Sequence, residues 1–297
     1  MKVPVLLLAF NRPGITKKVL TAIAGYAPPR LYVAVDGPRP GHPTDGKNCA
    51  TVKQLVADWQ TAHPATQVHT LYRDANLGCG RGVSSGISWF FDQEEMGTIL
   101  EDDCLPSPGF FWFCEQFLWQ YRDEEKIMHI GGSNHLHDAI PMDSTWYFSK
   151  YPQIWGWASW RRAWSRYRFE MTDLPGLFSR PEFNRYYNKE IFELTARGEL
   201  DTWDIQWIYA FLMNDGLAIL PNGNFIQNIG FGDNGGVHLN NKPVWYEERI
   251  SEVNQLVAPS TMEPNVAADD YVFRTCYNPD IWLRAKRKIK KLLFKKL

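Results

Sequence analysis

Thr98-Ile99-Leu100-Glu101-Asp102-Asp103 is the stretch that decides the fold. Its first half is apolar or β-branched and reads as the end of a buried strand. Three consecutive carboxylates follow, and then Cys104-Leu105-Pro106-Ser107-Pro108-Gly109, which is turn chemistry. Carboxylates at the C-terminal tip of a parallel strand stand in the crevice where open α/β sheets bind ligands. Side by side they repel one another and gain nothing from a core. A divalent cation offsets that repulsion. Mg²⁺ and Mn²⁺ take oxygen ligands, usually one or two carboxylates plus substrate phosphates. The stretch therefore predicts a metal–diphosphate site, with a solvated acidic turn as the plainer alternative.

Upstream, residues 3–10 form a continuous apolar run, the pattern of a strand buried on both faces of a parallel sheet. Asn11-Arg12-Pro13-Gly14 turns it into a helix over 15–25, which Pro28-Pro29 stops. Residues 31–35 read as a second strand closed by Asp36-Gly37-Pro38, 47–62 as a helix, and 67–72 as a third strand. Asn76-Leu77-Gly78-Cys79-Gly80-Arg81-Gly82 opens a helix to Phe91, and 98–101 is the fourth strand. The order β-α-β-α-β-α-β predicts a doubly wound sheet. Downstream, 109–121 read as a helix, 127–130 as a strand and 146–148 as another. Trp155-Gly156-Trp157-Ala158-Ser159-Trp160 leads into a helix near residue 168, and 182–197 reads as helical. Trp203-Asp204-Ile205 begins a further helix that ends at Asp215-Gly216, with late strands at 217–220 and 225–228. Residues 230–236 hold four Gly and read as a mobile loop. The predicted organisation is a catalytic domain over 1–240, split into a nucleotide half (1–104) and an acceptor half (105–240), then an extension (241–280) and a tail (281–297).

Composition narrows the class. Hydrophobic residues make up 44% and charged residues 22% of 297, ordinary for a globular chain. A net charge of −1 excludes bulk electrostatic nucleic-acid binding. The balance is uneven, because 281–297 carry eight of the 32 Lys/Arg and no acid, leaving 24 bases against 33 acids, or −9, elsewhere. In that tail Ile281, Ala285, Ile289, Leu292 and Phe294 fall near one helical face, a basic amphipathic pattern that lies on anionic lipid. The alternative is a disordered, solubilising tail. Five cysteines without a Cys-x-x-Cys pair argue against a disulfide framework or a zinc site and fit a reducing compartment. The first apolar run is too short for a signal peptide, and no stretch approaches the roughly 20 apolar residues of a membrane span. The expectation is a cytoplasmic protein, peripheral on the inner face of the membrane. The 13 Trp either stack sugars and bases or fill the core.

Single residues divide between functional and plain readings. Gly78-x-Gly80-x-Gly82-x-x-x-Gly86 has the wrong spacing for a dinucleotide fingerprint and follows the third strand, which argues against NAD. Its helix N-terminus with Arg81 still suits an anion, or else the glycines serve a close helix–sheet contact. Asp36 can accept hydrogen bonds from a base or ribose, or simply make an Asp turn. His238 can complete a metal site or lie free on the surface. Asp204 is either a helix cap or a general base beside an aromatic acceptor platform, with Asp201 and Asp233 as the next candidates.

Asn11-Arg12-Pro13, Asp36-Gly37, Asn76-Leu77-Gly78 and Glu101-Asp102-Asp103, in this order, resemble GT-A glycosyltransferases. The N-acetylglucosaminyltransferase I family is the nearest resemblance, because its counterpart of the usual D-x-D motif is also Glu-Asp-Asp. The likeness continues through Pro106-Ser107-Pro108-Gly109-Phe110-Phe111, Ile154-Trp155-Gly156-Trp157 and Trp203-Asp204, and ends near Phe231-Gly232 and Val237-His238. It departs at Trp203-Asp204-Ile205, where that family has two adjacent acids. The resemblance implies an α/β fold with a mixed, Rossmann-like nucleotide-diphospho-sugar transferase sheet flanked by helices. It also implies a bacterial-type enzyme of surface glycan synthesis that uses a UDP-sugar such as UDP-GlcNAc with Mn²⁺ or Mg²⁺, and a glycan or lipid-linked glycan as acceptor. On that resemblance Asp103 and His238 hold the metal. Asn11, Arg12, Asp36, Arg81, Glu101, Asp102 and Val237 bind the donor, and Asp204 deprotonates the acceptor with inversion. A sugar-phosphate nucleotidylyltransferase would share the sheet and the carboxylates but should carry a Gly-rich basic loop after the first strand, where Asn11-Arg12-Pro13-Gly14 is thin. A non-catalytic sugar- or membrane-binding protein would explain the Trp content and the tail but not the strand-end acids.

Overall fold

The computed structural model describes residues 1–136, 138–232, 243, 246, 249–251 and 255–277. The chain runs β1 (Val5–Ala9), α1 (Pro13–Tyr26), β2 (Arg30–Val35), α2 (Asp45–Ala62), β3 (Gln67–Tyr72), α3 (Gly78–Gln93) and β4 (Met96–Glu101). Then come β5 (Cys104–Pro106), α4 (Pro108–Gln120), β6 (Ile127–Gly131), β7 (Trp146–Ser149), β8 (Trp157–Trp160) and the single turn α5 (Arg161–Trp164). The last part holds α6 (Leu174–Ser179), α7 (Pro181–Tyr186), α8 (Lys189–Ala196), α9 (Asp204–Met213), β9 (Leu217–Pro221), β10 (Ile226–Asn228) and α10 (Val266–Val272).

Eight strands form one mixed sheet in the order β3-β2-β1-β4-β8-β6-β9-β7. The first four are parallel, β8 runs antiparallel between β4 and β6, and β7 is antiparallel to β9. The apolar runs of β1 and β2 are explained by burial on both faces. Val5, Leu7, Leu31 and Val33 pack into one core with α1, α2 and α4, while Leu6, Leu8, Tyr32 and Ala34 pack into the other with α3 and α9. The chain winds outward from β1 to β3, then returns to place β4 on the other side of β1. That reversal opens a crevice at the C-terminal ends of β1 and β4. Glu101 ends β4 there, and Arg12 follows β1. A second ribbon pairs β10 with β5, so Ile229 donates its N–H to the Asp103 carbonyl at 2.8 Å and the next residues cross the acids.

The predicted β-α-β-α-β-α-β half, the helix after the acids and the late strands are all present. Residues 182–197 are helical as expected, in two segments, and one expectation, the helix after the Trp-rich stretch, is corrected. Pro181 starts α7 at its first turn, and Asn188 starts α8 afresh by accepting the Glu190 N–H at 2.9 Å. The Trp-rich stretch is itself strand β8, and only one turn of helix follows before residue 165, well short of 168. The mobile-loop reading of 230–236 falls mostly outside the described residues, as does the tail 281–297. Among the described residues no helix is long and apolar enough to cross a membrane.

Candidate functional site

A cavity of about 600 Å³ occupies the crevice. Arg12, Asp36, Glu101, Asp102, Asp103 and Asp204 all line it, so residues spread over most of the chain converge. The turn after β4 sets the acids. Asp102 is 3% exposed and folds back under Arg12, while Glu101 and Asp103 are half-buried. The Arg12 guanidinium bridges Asp102 and, at 3.0 Å, Asp103. Thr16 Oγ1 donates to the Arg12 carbonyl at 2.8 Å and so ties the β1–α1 turn. One guanidinium against three carboxylates leaves negative charge in excess. Burial, and then the Asp103 and Asp102 charges, push Glu101 above the usual carboxylate range. Burial also pushes Asp102 up, against the pull of Arg12. Burial works against the Arg12 charge, but Asp102 and Asp103 raise its pKa beyond the ordinary arginine value.

Asp204 is the first residue of α9, and Thr202 Oγ1 donates to its carboxylate. Trp203 precedes it and stacks on Trp157 of β8, with ring centroids 5.6 Å apart and planes within 15°. Trp164 and Trp207 pack around the same ring. This cluster fixes where α9 begins. Among the described residues seven Trp lie in the core, so their main use there is packing rather than ligand stacking. Trp155 is an exception. It lines the cavity beside Phe231 at 5.8 Å and Tyr246 at 5.6 Å. Cys79 sits among the acids, and burial followed by the charges of Glu101, Asp204, Asp201 and Asp103 raises its thiol pKa. Glu101 in turn feels Asp204. Strand-end acids and the α9 acid therefore face one space.

Other predicted site residues are placed differently. Asn11 is buried and does not line the cavity. Its amide donates to Asp45 at 2.7 Å, and Asp45 is held by Arg39, so Asn11 braces the β1 end. Arg81 does not line the cavity and lies 4.3 Å over the Phe169 ring, a cation–π contact in a separate shallow pocket. The predicted anion seat at the start of α3 is filled by the chain itself. Asp201 accepts the N–H groups of Cys79 at 2.8 Å and Gly80 at 2.9 Å. Both Asp201 oxygens are thus engaged at the start of α3, while the residue also lines the cavity. Asp36 lines the cavity but also does turn work, accepting from Gly37 N–H at 2.9 Å, Leu77 N–H at 3.0 Å and the Asn76 amide at 2.9 Å. Burial pushes its pKa up, and those backbone donors oppose the shift. Val237, His238 and Asp233 lie outside the described residues. Gly230 is a site residue that sequence reading passed over. A Cβ there would lie 2.4 Å from Asp103 Oδ2 and 3.0 Å from Arg12 Nη1, so only glycine lets the backbone cross the pair. Its place in a Gly-rich run after a strand was the available signal.

Among the described residues no group of three or more His, Cys, Asp or Glu side chains is arranged to hold a metal ion. The carboxylate excess still matches the chemistry of a hard cation that takes one or two carboxylates and completes its shell with water and phosphate.

No protein-family model and no curated protein matches this chain. Solved structures are similar at low identity. UDP-glucose pyrophosphorylase complexed with UDP-glucose has 8% identity and a TM-score of 0.43, covering 77% of this chain and 94% of that one. The 4-diphosphocytidyl-2C-methyl-D-erythritol synthase from Anaerococcus prevotii has 8% identity and a TM-score of 0.41, covering 74% of this chain and 88% of that one. Residues 1–349 of TarS from S. aureus have 10% identity and a TM-score of 0.41 over 76% of this chain, which spans only 60% of that structure. None of these three is an N-acetylglucosaminyltransferase I. The likeness is one of broad α/β fold, and the architecture described above rests on this chain's own strand order.

Proposed function

We propose that this chain is a metal-dependent, inverting glycosyltransferase that moves a sugar from a nucleotide-diphosphate donor to an acceptor hydroxyl. The observation that carries the reading is the meeting of Glu101, Asp102, Asp103 and Asp204 in one cavity at the sheet's switch point. Asp36 stands on the β2 side of that cavity, where it can accept from the base or ribose. Arg12 fixes the orientation of Asp102 and Asp103 and supplies the one cation seated among the acids of the described residues. Asp103 would hold Mn²⁺ or Mg²⁺, with His238 as the further ligand expected from sequence. Bound there, the ion supplies Lewis-acid neutralisation of a leaving diphosphate. Asp204 takes the proton from the acceptor hydroxyl. Trp155 and Phe231 give the acceptor an aromatic wall on which a sugar ring can stack. The donor we favour is a UDP-sugar such as UDP-GlcNAc, and the acceptor a glycan or lipid-linked glycan. The basic tail would bring the enzyme to an anionic membrane surface.

Nucleotidyl transfer to a sugar phosphate is the second reading. The connection after β1 bears on it, because only Phe10, Asn11 and Arg12 separate β1 from α1, and Arg12 is already bound to two acids. That leaves little backbone to wrap a triphosphate. One screen separates the readings. Nucleotide sugars are incubated with the protein and Mn²⁺, and release of nucleoside diphosphate is followed. In parallel, nucleoside triphosphates and sugar 1-phosphates are tested for pyrophosphate release. Diphosphate release from a nucleotide sugar supports the transferase. Pyrophosphate release alone replaces it with the nucleotidylyltransferase, and neither product removes both.

A further inference from the structure

α3 has an unusual start. Its own cap residue, Leu77, has no side-chain oxygen to offer. The orphan N–H groups of Cys79 and Gly80 are met instead by the carboxylate of Asp201, more than 120 residues further along the chain. The glycines make this possible. Gly78 has φ +80, and a Cβ there would lie 2.3 Å from Asp201 Oδ2. A Cβ at Gly80 would lie 2.7 Å from Asp201 Oδ1 and 3.0 Å from the Thr202 carbonyl. The Gly78-x-Gly80 pair is thus the seat for a segment arriving from the other half of the molecule. That segment leads into α9. Thr202 next along holds the Asp204 carboxylate, and Trp203 is clamped by Trp157 and by the Tyr167 hydroxyl, which donates to its carbonyl at 3.2 Å.

We infer that Asp201 is a positioning residue, a latch that fastens the Asp204-bearing segment to the Gly78–Gly80 seat and so sets the distance between Asp204 and the strand-end acids. Its hydrogen bonds are charge-assisted and made at a helix N-terminus, where a carboxylate is favoured. Asp201 lines the cavity, but both of its oxygens accept from the α3 N–H groups. It acts through Asp204, so the catalytic consequence rests on the transferase reading proposed above. The latch itself does not.

The test uses the full chain with Asp201→Asn and Asp201→Ala. The asparagine variant keeps the shape but turns an amide donor toward one of the two N–H groups. The alanine variant leaves a space the size of formate. Amide hydrogen exchange is expected to quicken at Cys79 and Gly80 in both variants. Affinity for UDP with Mn²⁺ should stay at the wild-type level while kcat for transfer falls, on the order of 10²-fold for a displaced catalytic group. Sodium formate, against sodium chloride at equal ionic strength, should slow the exchange and restore turnover in Asp201→Ala but not in Asp201→Asn. Unchanged exchange at Cys79 and Gly80 would overturn the latch. Fast exchange with undiminished kcat would overturn the positioning role, as would loss of the whole fold in both variants. A wild-type protein that transfers no sugar would sink the transferase reading alone, and the exchange and formate measurements would still decide the latch.

Discussion

At Asp204 the carboxylate lies on the first turn of α9, where the helix dipole favours negative charge, and takes a hydrogen bond from Thr202. It comes from a different element than the strand-end acids, so on the proposed reading its task is separable from donor binding. Asp204→Asn is expected to keep donor affinity and to lower transfer by about 10²-fold or more, the scale of general base catalysis. Rapid turnover in the variant would pass the role to another acid. Asp103 has the opposite profile. It shares Arg12 with the more deeply buried Asp102 and lies directly under Gly230. Asp103→Ala should abolish Mn²⁺-dependent binding of UDP while leaving the fold intact, because Asp102 retains its partner. Calorimetry with UDP, with and without Mn²⁺, reads this directly, and wild-type affinity in the variant would place the ion elsewhere.

Among the elements, the single turn α5 does more than its length implies. Its Arg162 lies 4.4 Å over the Trp160 ring and fans its donors to three carbonyls: Arg122 at 2.7 Å, Tyr121 at 2.8 Å and Ile127 at 2.9 Å. These carbonyls belong to the chain leaving α4 and entering β6, so the planar fork ties the helix after the acids to the second half of the sheet. A lysine offers a compact charge instead of a fork. Arg162→Lys is expected to lose about 3 kcal/mol of stability, since hydrogen bonds from a charged group contribute more than neutral ones and the carbonyls are left short of partners. Urea unfolding measures it, and a variant as stable as wild type would show that the fork holds nothing. α9 is held differently, by indole stacking, which fixes the place of Asp204 at the start of a short helix.

For the molecule as a whole, acid stability turns on His129, which is fully buried in β6 and stacked on Trp157. Its Nε2–H donates to the Gln153 carbonyl at 2.9 Å, and its Nδ1 accepts the Trp207 indole N–H at 3.3 Å. Both nitrogens are satisfied only in the neutral ring. Burial lowers its pKa to about 3, against the pull of the Gln153 carbonyl. The unfolded chain therefore binds this proton more readily, and the contribution to stability is complete above pH 6.5 and falls as pH drops toward 3. The slope is about 1.4 kcal/mol per pH unit. Asp269, pushed up to about 6 by burial, works the other way over part of this range, so the comparison must be with His129→Gln. Unfolding free energies measured from pH 7 to pH 4 should fall more steeply in wild type than in the variant, and parallel curves would contradict the assignment. The tail makes a second claim at this scale. Eight cations at about 1 kcal/mol each near an anionic surface are enough to localise an otherwise acidic chain. Co-sedimentation with vesicles should require anionic lipid, weaken with salt and vanish in a chain ending at Asp280. Equal binding by both lengths would exonerate the tail.

The parallel half of the sheet was legible in the sequence because strand burial is a local signal. The runs at 3–10 and 31–35 leave no polar face, and glycine, proline and carboxylates punctuate their ends. Period and punctuation likewise revealed α4 and α9, and the acid triplet at the tip of β4. The strand order decided what those acids face. The return of β4 beside β1 brings Arg12 onto Asp102 and Asp103, and β8 between β4 and β6 brings the Trp203 clamp and Asp204 to the same cavity. Asn11 and Arg81 were chosen for their chemistry at the turns, and only the fold shows that their side chains meet Asp45 and Phe169. Asp201 shows the limit most clearly. Two glycines and an exposed acid mean little 120 residues apart, since short-range pattern carries no information about which backbone N–H a distant carboxylate will reach. Only the folded chain, by bringing α3 against the start of α9, turns them into one contact.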